Sequence, residues 1–76
     1  MDINRERQVF CENVRRLRLE RGYTVEQMAH VMRVSAEWVR RLERDDLPDE
    51  MDVSVAFYLA AEFGISEADL FRPPHE

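Results

Sequence analysis

The sequence predicts an all-α fold, a compact bundle of five short helices with two of them joined by a tight turn at its centre. Apolar residues recur at three- and four-residue steps along most of the chain, and alternating apolar runs are lacking. Serines and threonines stand where helices need N-caps, and glycines stand where helices must end. With 76 residues, two glycines and three prolines, the chain has the size of one small domain and too few breakers for a disordered or collagen-like one. One domain is expected over residues 1–76, ordered from about residue 5 to about residue 71, with a modest core, since a chain this short buries only about 60% of its unfolded surface.

Taken in order, Asn4 or Asp2 can cap a first helix running to about Arg21, with Phe10, Val14, Leu17 and Arg18 on its inward side. Gly22 can close it in the left-handed conformation, and Tyr23 can pack back across the turn. Thr24 followed by Gln27 has the form of a capping box, so a second helix begins near Val25 and buries Met28, Ala29 and Met32. It stops around Arg33. Ser35 then caps a third helix, whose buried face is Val39 and Leu42 and whose outer side carries Ala36, Glu37, Trp38, Arg40, Arg41 and Arg44. The acidic segment from Asp45 to Glu50, with its proline, is a loop. Asp52 can cap a fourth helix with Val53, Phe57, Ala60 and Phe63 inward, which leaves Val55, Tyr58 and Leu59 off that face. Such a wide stripe either packs on a neighbouring helix or serves as a dimer or partner surface. Gly64 ends this helix, Ser66 and Asp69 start a last short one holding Leu70 and Phe71, and Pro73 and Pro74 end the ordered chain.

Composition excludes several functions. No stretch approaches the ~20 apolar residues of a membrane span, and the charged N-terminus lacks the apolar core of a signal peptide, so a cytoplasmic protein is expected. Cys11 is the only cysteine and reads as a small, partly buried residue of the first helix; with His30 and His75 distant in sequence there is no metal-ligand spacing. The acidic cluster Asp45, Asp46, Asp49, Glu50 and Asp52 lacks the glycine and alternating ligands of a calcium loop and reads as solvated. No nucleophile, base and orienter set and no phosphate-cradling glycine loop is present, so neither an enzyme nor a cofactor is expected. The net charge of −5 is segregated: residues 1–44 hold ten of the eleven arginines against seven carboxylates, and residues 45–76 hold one arginine against nine. All basic residues are arginine, which suits bidentate recognition of phosphate or carboxylate.

The run VRRLRLERG from Val14 to Gly22, the pair Met28-Ala29, Val34-Ser35, the run VRRLE from Val39 to Glu43 and the tail FGISEADLF from Phe63 to Phe71 together resemble the lambda-repressor-like helix-turn-helix family, the Cro and phage-repressor (XRE) type. The resemblance implies a sequence-specific, double-stranded DNA-binding transcriptional regulator, a repressor in most instances and dimeric, working in a prokaryotic cytoplasm or nucleoid. It implies that the third helix, about residues 36–43, lies in the major groove, with the flanking helix starts fixing register on phosphates. By resemblance the base-reading positions are Ala36, Glu37 and Arg41, with Trp38 and Arg40 beside them. Thr24, Val25 and Arg44 lie near phosphates, and Ser35 opens the recognition element. Arg41 is the leading candidate, because a guanidinium can donate twice to guanine O6 and N7. The resemblance further implies a partly buried ion pair between Arg18 and Glu43, tying the first helix to the end of the third.

The sequence departs from this pattern at three positions. Valine at Val25 cannot bond a phosphate as the family's frequent glutamine does. Arg33 stands where the turn usually has glycine, so it must bear a positive φ or the turn must differ. Asp45 replaces another common glycine and, with Asp46, sets two carboxylates near the expected phosphate contacts. Trp38 is bulky for a groove-lying helix, and an exposed tryptophan is a favoured anchor at protein interfaces. A protein-binding module using Trp38 and Glu37, in the manner of an anti-repressor, an antitoxin or another inhibitor, is therefore the alternative expectation. For the wide apolar stripe of residues 53–71, a homodimer through Val55, Tyr58 and Leu59 stands as the alternative to packing on the first or the last helix.

Overall fold

The computed structural model describes residues 3–44, 46 and 54–73. Its elements are helix α1 (Ile3–Arg21), α2 (Val25–Met32), α3 (Ala36–Glu43), α4 (Ser54–Phe63) and a 3-10 helix (Glu67–Phe71). Among the described residues there are thus four α-helices and no strand. The fifth expected helix is 3-10 instead. Its amides bond three residues back, Asp69 to the Ser66 carbonyl and Arg72 to the Asp69 carbonyl, and five residues are too few to establish the four-residue ladder. Asn4 lies inside α1 rather than at its cap. Asp2, Asp45, Asp49, Glu50, Asp52, Val53, Pro74 and His75, and with them the loop 45–50 apart from Asp46, lie outside the described residues.

Local chemistry accounts for the boundaries. Thr24 Oγ1 accepts from the Gln27 amide at 3.0 Å while Gln27 Oε1 accepts from the Thr24 amide at 2.8 Å, a complete capping box. Ser35 accepts from the Trp38 amide, and Ser66 exchanges the same pair of bonds with Asp69. The Ser66 amide, which donates to the carboxylate, and next the Ser66 hydroxyl beside it hold the Asp69 carboxyl below its ordinary value. Three helices close alike, with an amide reaching back five residues past a residue of positive φ: Tyr23 to Arg18 around Gly22, Val34 to Ala29 around Arg33, and Ile65 to Ala60 around Gly64.

Arg33 occupies the left-handed conformation at φ 59°, which costs a non-glycine residue about 1 kcal/mol. Its guanidinium lies 4.2 Å from the Tyr58 ring centroid and donates to the Tyr58 hydroxyl at 3.3 Å, fastening the turn to α4. A cation–π contact at an exposed site contributes about 0.5–1 kcal/mol, close to the strain. Thermal unfolding of Arg33→Gly is therefore expected within a few degrees of the parent, whereas Arg33→Ala keeps the strain, loses the contact and melts lower. If Arg33→Gly proved the less stable of the two, strain would not govern this turn.

The core is drawn from every element. Phe10, Val14, Met28, Met32, Val39, Leu42, Leu59 and Leu70 are all fully enclosed, with Cys11, Leu17, Ala29, Val55 and Ala56 around them. Cys11 is thus wholly rather than partly buried. The expected inward face of α4 holds only in part: Phe63 packs against the core, but Phe57 does not, and the stripe set off that face is the buried one. Val55, Ala56 and Leu59 face the core and Phe57 is 58% exposed. Val55 and Leu59 are accordingly not available to a second copy, and Tyr58 is half-buried beneath Arg33. Only Ser54 and Glu62 are polar among the ten residues of α4, so periodicity along this helix does not single out a face. The Cα radius of gyration, 11.3 Å, is what a folded chain of this length takes. Among the described residues no helix is long and apolar enough to cross a membrane.

Candidate nucleic-acid interface

α2 and α3 are eight-residue helices joined by Arg33, Val34 and Ser35, and they pack on each other and, through α2, on α4. Their inward sides are Met28, Ala29 and Met32 on α2 and Val39 and Leu42 on α3. Burial of these five side chains fixes which face of α3 remains in solvent. That face holds Glu37, Arg40, Arg41 and Arg44, with Ser35 exposed at its start and Thr24 exposed at the start of α2. Val25, Ala36 and Trp38 lean inward, each partly buried against the core cluster. Trp38 thus presents only part of its ring to solvent, and the Val25 side chain has no polar atom to offer a phosphate, so any such contact there falls to main-chain amides at the start of α2.

A single guanidinium sets the position of both helices. Arg18 donates from Nε and Nη2 to the two carboxylate oxygens of Glu43, at 2.7 and 2.9 Å, and from Nη1 to the Tyr23 carbonyl at 3.0 Å. Both charged side chains are well enclosed, 15% and 13% exposed. Tyr23 precedes the cap of α2 and Glu43 ends α3, so α1 holds the entry to the first helix and the exit from the second.

Two of the three outward arginines are engaged with carboxylates. Arg40 Nη2 donates to Glu26 Oε1 of α2 at 2.8 Å, and Arg41 Nε donates to Asp46 Oδ2 at 3.2 Å. Asp46 is held in place by its backbone as well, since its amide donates to the Arg41 carbonyl at 2.9 Å. Among the described residues Arg44 makes no ion pair. Within residues 1–44 this face carries three arginines, Arg40, Arg41 and Arg44, against Glu26 and Glu37, and Asp46 from beyond that segment brings its charges to balance. Sequence reasoning placed Asp46 nearby but missed its pairing with Arg41, and missed Glu26 entirely. No local signal links Glu26 to Arg40, because the contact exists only once two helices are packed.

Among the described residues no group of three His, Cys, Asp or Glu side chains is arranged to hold a metal ion. What the face offers is guanidinium donors on an exposed helix, two of them held by carboxylates of the same chain. The chain matches no protein-family model, no curated protein and no solved structure, so the reading of this face rests on its own residues and geometry.

Proposed function

We propose that this chain is a sequence-specific duplex DNA-binding regulator, a repressor on the helix-turn-helix plan, which lays α3 in the major groove. The observation that supports this reading best is the single outward row of Arg40, Arg41 and Arg44 on a short helix whose opposite face, Val39 and Leu42, is buried without remainder. Exposed starts of α2 and α3 at Thr24 and Ser35 supply the amides and positive helix ends that flank such a contact on phosphates. The carboxylates do not forbid it. An exposed ion pair contributes about 0–1 kcal/mol, whereas a bidentate arginine–guanine contact contributes about 1–3 kcal/mol of discrimination, so Arg41 gains by exchanging Asp46 for a base. In the same reading two copies bind a palindromic site, and the half-site spacing reports how they are arranged.

The test is selection from random duplex DNA, followed by binding between about 50 and 200 mM salt. A converged motif is expected. Arg41→Ala should lose about 1–3 kcal/mol on that motif and relax preference at one base pair. Arg44→Ala should weaken all duplexes alike and lower the salt slope by about 1. Absence of any motif, with affinity weaker than about 10⁻⁴ M at the lower salt, would sink the reading.

A further inference from the structure

From the paired carboxylates on this face we infer that Glu26 and Asp46 act as internal stand-ins for DNA phosphates: they occupy Arg40 and Arg41 in the free protein and suppress sequence-independent binding. The inference rests on the DNA-binding reading and concerns how that same face is regulated.

The two pairs differ from incidental surface bridges in their placement. Each takes an outward arginine of α3, and each carboxylate is supplied from a different side: Glu26 from across the helix pair, Asp46 from just beyond the C-terminal end of α3. Asp46 is positioned by main chain, its amide on the Arg41 carbonyl, so its carboxylate is presented to Arg41 without having to be drawn from a free loop. All four side chains keep 40–65% of their surface, so a duplex can reach and displace them.

Sequence-independent affinity for DNA comes almost wholly from cations that displace condensed counterions. An arginine already neutralised by a carboxylate on its own chain brings no net charge to the duplex. To engage a phosphate it must abandon one anion for another of similar strength. At a cognate site the exchange is different, because Arg41 gains the directed bonds of a base edge and Asp46 offers nothing comparable. The carboxylates thus weaken binding to arbitrary sequence while leaving most of the cognate affinity, and the ratio between the two rises.

The experiment compares the wild-type chain with Asp46→Asn, Glu26→Gln and the double variant. Glu67→Gln serves as control, an exposed carboxylate on the 3-10 helix that changes net charge by the same unit without touching α3. Binding is measured to a random-sequence duplex and to the selected motif between about 50 and 200 mM salt. Each test variant should bind the random duplex up to about fivefold more tightly at the lower salt, the equivalent of one exposed ion pair, and steepen its salt slope by about 1. The motif should gain less, so that discrimination falls, and Glu67→Gln should change neither. If Glu67→Gln matched the test variants, net charge alone would be responsible and the inference would be overturned. It would equally fall if the wild type bound DNA and Asp46→Asn and Glu26→Gln left the slope unchanged. Were neither the wild type nor the double variant to bind any duplex, the DNA-binding reading itself would fail, and the inference with it.

Discussion

Replacing Asn13 with alanine is expected to destabilise the fold by about 3 kcal/mol, and replacing it with aspartate by more at neutral pH. Asn13 is a polar side chain buried to 1% exposure in the middle of α1. Its Nδ2 donates to the Leu70 carbonyl at 2.7 Å and the Arg72 carbonyl at 2.9 Å, with the Asp69 carbonyl at 3.5 Å. These are backbone acceptors of the 3-10 helix and the residue after it; the bond to Leu70 is buried and those to Arg72 and Asp69 are half-buried. Alanine strands two strong acceptors at about 1–3 kcal/mol each. Leu70, fully enclosed, and Phe71, stacked 5.2 Å from Phe10, are held by the same latch, so the loss reaches the core. A domain this small commands about 4–11 kcal/mol in total, and a loss of 3 is a large share of it.

Aspartate sharpens the test because it turns the donor into an acceptor. An ionised carboxylate facing carbonyl oxygens is repelled and poorly solvated, and the half-exposed Arg16 guanidinium, 3.5 Å from the side-chain oxygen, offsets only part of this, so in Asn13→Asp the carboxyl's folded-state pKa lies above its unfolded value of about 3.9. A group so raised adds stability below the unfolded pKa and loses it as pH climbs through the folded one. Asn13→Asp should therefore recover relative to the wild type as pH falls from 7 to 4. Urea unfolding at the two pH values measures this directly. An Asn13→Ala variant within about 0.5 kcal/mol of the parent would show that the latch carries no load.

Nothing in the sequence pointed to Asn13. Its acceptors lie 56 to 59 residues away, and an asparagine in a helix interior reads as surface. The features that were legible are those whose physics is local. Thr24 with Gln27, Ser35 with the Trp38 amide, and Ser66 with Asp69 all act over three residues, and each cap stands where its side chain announced it. Gly22 and Arg33 likewise mark helix ends, the second at a cost that only Tyr58, from a different helix, helps to offset. On α4 the local signal is degenerate. Phe57 and Leu59 are equally apolar, and what decides between them is the docking of the helix on α2 and the 3-10 helix. The candidate interface divides the same way: the identity of the outward arginines was legible from helical spacing, whereas their neutralisation by Glu26 and Asp46 depends on packing and chain reversal.

Glu43→Gln is expected to cost about 3 kcal/mol, at the lower end of the range for breaking a buried ion pair because both partners retain some solvent. The amide keeps one acceptor for Arg18 and turns an N–H₂ toward the other guanidinium nitrogen, so a charge-assisted bidentate contact becomes a single bond with a clash of donors. Arg18→Lys is a second, milder break. A single ammonium cannot span both Glu43 oxygens and the Tyr23 carbonyl, so the start of α2 or the end of α3 loses its tether. Removing both charges has a different expected result. Arg18→Met with Glu43→Leu replaces the pair by apolar volume and should unfold within about 1 kcal/mol of the wild type, since the attraction is largely spent on desolvation. A double-mutant cycle closed with the single variants Arg18→Met and Glu43→Leu, each expected to lose about 3 kcal/mol because one enclosed charge is stranded, then gives a coupling of about 5 kcal/mol. A coupling near zero, with the single variants as stable as the parent, would mean that Arg18 and Glu43 are solvated independently despite their geometry. With the coupling present, the apolar variant also separates stability from alignment. It folds, yet the shared guanidinium that joined Tyr23 to Glu43 is gone, so under the proposed DNA-binding function a loss of selectivity with stability nearly kept would trace to the relative placement of α2 and α3.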